Sequence, residues 1–142
     1  MRRALALILG LGLSANGLLM LAAPADWYGA VPGVTDTGPF NAHFVRDIGA
    51  AYLVAGATLV WFALDLAARP AALAGAAFLA LHALVHLWDA AAGREHAHRL
   101  LLDLPTVFLP PALALFIAWP RSIANKENRR DQMVAAATDR RL

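Results

Sequence analysis

Four apolar runs, at about 4–23, 42–66, 71–92 and 100–119, constrain this chain more than any other feature of it. A helix of about 20 apolar residues crosses a hydrocarbon core of ~30 Å, and each run is that long. Lipid offers the backbone no hydrogen-bond partner, so only helices and closed barrels span it. The apolar residues here come in unbroken runs rather than alternating with polar ones, which selects helices. The expected fold is all-α, a transmembrane four-helix bundle over residues 1–120 followed by a charged tail, 121–142. Composition agrees: 60% of the 142 residues are hydrophobic and 15% are charged, against roughly 25% charged in soluble domains. There is no cysteine, which removes disulfides, thiolate metal sites and iron–sulfur clusters. A net charge of +2 makes no nucleic-acid patch, so the expected partner is the lipid bilayer, with a homo-oligomer or a larger membrane complex left open.

The first run follows Arg2 and Arg3 and ends in small residues, a pattern shared with cleaved signal peptides. Its apolar stretch exceeds the usual ~7–15 residues of a signal core, and Ser14 and Asn16 interrupt it, so a retained span is expected. Gly10, Ser14 and Gly17 form a stripe of small residues suited to close helix contact. Pro24 to Asn41 reads as a polar loop, with Trp27 and Tyr28 at interface height and Asn41 as the N-cap of the next helix. His43 and Asp47 share one face of the second run, and Tyr52 points the opposite way. Asp65 and Arg69 are spaced for an i, i+4 ion pair beside the short connection before the third run. Pro105, Pro110 and Pro111 should kink the fourth run or break its hydrogen bonding locally.

The arginines set the topology. With both termini on one side, that side holds Arg2, Arg3, Arg69, Arg121, Lys126, Arg129, Arg130, Arg140 and Arg141, and the other only Arg46, Arg94 and Arg99. The positive-inside rule therefore puts both termini in the cytoplasm. The segments 24–41 and 93–99 then face outward.

The third run carries Leu81-His82-Ala83-Leu84-Val85-His86-Leu87-Trp88-Asp89. At about 100° per residue, His82, His86 and Asp89 fall on one helical stripe. Ionisable groups inside a membrane are costly and usually face a bundle interior or a functional site. Topology and spacing together bring His43, Asp47, His82, His86, Asp89 and Asp103 into the outer half of the bundle, with Asn16 near the depth of His82.

Neutral imidazole and carboxylate donors suit transition metals such as copper, zinc or iron, and His-x-x-x-His on a helix is a chelating spacing. The expected metal ligands are His43, Asp47, His82, His86 and Asp89, with Asp103 as a carboxylate that orients them. Each imidazole has a carboxylate of its own helix nearby. Arg46 beside Asp47 would neutralise that carboxylate, and the metal would then shift towards His82, His86 and Asp89. Ala83 follows His82, so the His-Glu-x-x-His signature of zinc proteases is absent. Haem ranks lower than a metal ion, because it needs axial histidines facing each other from neighbouring helices. The alternative without chemistry is a buried polar network, with Arg46 on Asp47 or Asp89 and His82 on Asn16, in an accessory subunit of a larger membrane complex. A self-sufficient enzyme ranks behind both, since no nucleophile–base arrangement or phosphate-binding loop is present. His96 and His98 read as solvated loop residues.

The run Gly38-Pro39-Phe40-Asn41-Ala42-His43-Phe44-Val45-Arg46-Asp47-Ile48-Gly49, with Leu81 to Asp89, resembles small four-span membrane proteins of bacteria. The resemblance covers the spans and not the tail. It implies a multi-pass inner-membrane helical bundle and carries no activity with it.

Overall fold

The computed structural model describes residues 1–94 and 99–120; His96, His98 and the charged tail lie outside the described residues. Their regular structure is all helical, without a strand among them. Helix α1 (Arg2–Ala22) is followed by a short helix α2 (Pro24–Ala30) and a 3₁₀ turn (Val34–Asp36), so the segment expected as a plain loop is partly helical. Pro24 begins α2, the position where a missing N–H costs nothing. Helix α3 spans Ala42–Leu64, and α4 spans Arg69–Ala91 after a 3₁₀ turn at Leu66–Ala68. The last run is divided as the prolines require: α5 (Arg99–Asp103), a π-helical turn (Leu104–Phe108) and α6 (Leu109–Ala118). Four stretches, Arg2–Ala22, Ala42–Leu64, Leu66–Ala91 and Arg99–Ala118, are long and apolar enough to cross a membrane.

The helices form a ring in which α1 packs on α3, α3 on α4, α4 on α6 and α6 back on α1. The α1–α3 contact is the most extensive. The buried positions of α1 are Ala6, Gly10, Leu13, Gly17 and Met20, alternating steps of four and three as in a knobs-into-holes seam. The small-residue stripe of α1 meets glycines of α3: a Cβ on Gly17 would lie 2.6 Å from the Gly49 carbonyl oxygen, and one on Gly10 would lie 2.8 Å from that of Gly56. Backbones approach this closely only without side chains between them, which adds dispersion and weak Cα–H···O contact. The rest of the core is rich in alanine, with Leu59, Leu79 and Ile117 as its large fully buried members. Leu81, Leu84, Val85 and Trp88 of α4, and Val54 and Trp61 of α3, are exposed on the outside of the ring.

Helix ends are closed by side chains, at the start of α3 by its own cap residue and at several carboxyl ends by arginines of neighbouring helices. Asn41 Oδ1 accepts from the His43 and Phe44 amides, each at 3.1 Å, and so caps α3 as its residue type predicts. At the opposite end of α3, Arg3 donates from Nε to Ala63 O at 2.6 Å and from Nη2 to Leu64 O at 2.7 Å. Arg2 donates to Trp119 O beyond α6 at 3.1 Å and lies over the Phe116 ring. Arg46 donates to Leu21 O at the end of α1, 3.3 Å away. The last carbonyls of a helix lack intrahelical donors and carry partial negative charge, and guanidinium groups answer both.

Three expected contacts are replaced by others. Asp65 is extended beyond the end of α3 and caps the 3₁₀ turn through Ala67 N at 2.9 Å, so it shares no helix with Arg69, which lies over Phe62 at 6.0 Å. Arg46 caps α1 instead of pairing with Asp47 or Asp89. Asn16 accepts from Trp27 Nε1 at 2.9 Å, because α2 folds back along α1, and it makes no bond to His82.

Candidate functional site

Helix α4 runs to Ala91, and His86 lies five residues before that end. At ~1.5 Å per residue it stands about 7.5 Å below the helix terminus. Asp103 closes the first turn of the returning segment, α5. The two side chains therefore meet: His86 Nδ1 lies 2.8 Å from Asp103 Oδ2, with side chains 17% and 9% exposed. With Asp103 ionised the carboxylate can only accept, and the contact then assigns the proton to Nδ1, leaving Nε2 turned away from Asp103.

His82 is one turn further down the same stripe. Its ring centroid is 5.0 Å from that of His86, edge to face. Tyr52 of α3 stands edge-on to His82 at 5.7 Å, and Phe78 stacks beside it at 6.3 Å. Tyr52 and Phe78 also meet each other edge to face at 5.6 Å. The face of α3 that turns to the histidines is thus the Tyr52 face, not the one carrying His43 and Asp47.

Above Asp103 the polar chain continues. Arg99, one turn earlier on α5, brings Nε to 3.9 Å from Asp103 Oδ1. Its Nη1 donates to Asp36 Oδ2 at 2.9 Å, and its Nη2 donates to the Gly33 carbonyl. Asp36, Arg99, Asp103, His86 and His82 thereby form a continuous series from the 24–41 segment into the ring of helices. Tyr28 steadies that segment by donating to Gly38 O.

Two of the expected ligands, His82 and His86, are adjacent, and Asp103 orients His86 as a supporting carboxylate would. Asp89 lies instead against Arg94, with 2.7 Å between its Oδ1 and Nη1. His43 and Asp47 face each other at 3.4 Å on the outside of α3, with side chains 88% and 61% exposed. Among the described residues, no three His, Cys, Asp or Glu side chains converge in a geometry for holding a metal ion. Arg99 and Asp36 belong to the polar series and were not singled out by sequence. The spacing of Arg99 to Asp103, i to i+4, was the available signal. Comparison with protein-family models, with curated proteins and with solved structures found no match to this chain.

Proposed function

We propose that this chain is a multi-pass protein of the bacterial inner membrane, with both termini cytoplasmic, and that His82 and His86 hold a transition-metal ion in its outer half. Four helices of sufficient length and apolarity, ringed by exposed leucine, valine and tryptophan, support the membrane reading. The distribution of arginines supports the orientation. One observation carries the metal reading: the 2.8 Å contact between His86 Nδ1 and Asp103. Metal-ligating histidines usually give their other ring proton to a carboxylate, which fixes the tautomer and raises the basicity of the ligating nitrogen. With His86 held in this way and His82 one turn below it, two imidazole nitrogens are available to one ion of copper, zinc or iron. The remaining coordination positions would fall to water or to a small ligand, an open arrangement suited to metal handling or an accessory redox role.

The second reading is an accessory subunit whose polar network sets helix packing. It is favoured by the lack of a third metal donor among the described residues. Haem ranks third, since the described histidines comprise one pair on α4 and the exposed His43. Elemental analysis of protein purified without chelator separates the first two readings. Under the metal reading, bound metal approaches one equivalent and falls sharply in a folded His86→Ala variant. Absence of stoichiometric metal in the parent protein, or unchanged content in that variant, overturns it.

A further inference from the structure

One guanidinium stands between two carboxylates. The Arg99 side chain is 8% exposed, and its Nε has no hydrogen-bond partner among the described residues. Nη1 and Nη2 are committed to Asp36 and to the Gly33 carbonyl. Gly33 sits at φ +81°, and a Cβ there would fall within the guanidinium, so backbone alone can approach Arg99 at this point. Nε reaches only to 3.9 Å from Asp103 Oδ1, while the other Asp103 oxygen is engaged by His86.

The two carboxylates differ in what they offer. The Asp36 side chain is 74% exposed, so water and salt weaken its hold on Arg99. The Asp103 side chain is 9% exposed and makes the stronger partner where solvent is excluded. Guanidinium groups favour two-pronged binding of a carboxylate, and a buried one left unpaired is costly. An approach of about 1 Å would bring Nε within ordinary hydrogen-bond range of Asp103.

We propose that Asp36 and Gly33 are positioning residues that hold Arg99 off Asp103 and leave Asp103 free to orient His86. When the 24–41 segment lifts, Arg99 closes on Asp103 with both prongs, taking Oδ2 as well as Oδ1, and withdraws the carboxylate from His86. The state of the aqueous segment is thereby passed to the imidazole pair through competition for a single carboxylate. This device concerns the His86–Asp103 hydrogen bond alone and stands whether or not the imidazoles hold metal.

The test uses the full chain, labelled with ¹⁵N-histidine, in detergent micelles. The signal is the slowly exchanging ring proton of His86, assigned by its disappearance in His86→Gln. Asp36→Ala should abolish or shift it, whereas Arg99→Gln should leave it in place. The double variant Asp36→Ala/Arg99→Gln should restore it, because the competitor is gone. Arg94→Gln, which breaks the pair with Asp89, should leave it unchanged. Helicity by far-UV circular dichroism confirms that each variant is folded. A ring proton undisturbed in Asp36→Ala overturns the proposal. So does a double variant that fails to regain it, since the loss then reflects disruption of the segment and not competition.

Discussion

Replacing Gly17 with alanine isolates the contact on which the α1–α3 pair depends. The added Cβ would lie 2.6 Å from Gly49 O, 2.7 Å from Leu53 N and 3.1 Å from Leu53 Cα. All three neighbours are backbone atoms, so no side-chain rotation can make room and the helices must separate. Ordinary carbon contacts fall near 3.5–4.0 Å, which implies an opening of roughly 0.5–1 Å, and a gap of that size forfeits a quarter to a half of each dispersion contact along the seam. Overpacking of this kind costs about 1–3 kcal/mol, and the gain in helix propensity on replacing glycine, about 1 kcal/mol, offsets part of it. Gly12 supplies the control on the same helix, since a Cβ there meets nothing within 4 Å. Gly12→Ala should therefore be neutral or stabilising by up to about 1 kcal/mol. Gly17→Ala should lose about 1–3 kcal/mol relative to it, because the propensity gain is common to both variants and cancels. Reversible unfolding in mixed micelles, titrated with sodium dodecyl sulfate and followed by tryptophan fluorescence, measures both. Equal stability of the two variants would refute the claim that backbone contact holds α1 against α3.

Arg3→Met should destabilise the protein by about 1–2 kcal/mol, since charge-assisted hydrogen bonds contribute more than neutral ones but this pair is partly solvated. The same unfolding titration reads the loss, and Arg3→Met matching the parent protein would show that these carbonyls are served equally well by water. Asn16→Leu leaves the Trp27 indole N–H without its acceptor and should loosen α2 from α1 at a cost of about 1–2 kcal/mol. Limited proteolysis within residues 24–30 is the measurement, and an unchanged cleavage rate would count against the docking role of Asn16.

Periodicity shows which side chains share a stripe, and that much of the structure was legible. The Gly10–Ser14–Gly17 stripe, the Asn41 cap and the disturbance around Pro105 were each read from local sequence, because local chemistry decides them. Depth along antiparallel helices puts Asp103 in the same layer as His86, but it does not show that the two side chains meet. Periodicity does not show how far each helix is turned about its own axis. The polarity of His43 and Asp47 points inward, yet the Gly49 and Tyr52 face of α3 takes the interior and leaves that pair outside. Spacing alone pairs Asp89 with His86, whereas the guanidinium of Arg94 holds it. The role of Arg99 is hidden from local sequence, since its partners Asp36 and Gly33 lie more than sixty residues away.

The guanidinium caps bear on the order in which such a chain can be completed. The first two arginines, at the very start of α1, terminate α3 and the residue following α6, which are synthesised 60 or more residues later. Until those carbonyl ends arrive, Arg2 and Arg3 have no helix to close, and until α1 is in place the later helices end unclosed. Completion of α6 thus reaches back to the start of α1. Loss of Arg2 and Arg3 would then be felt first at the far ends of α3 and α6, by fraying there, while α1 itself stays helical.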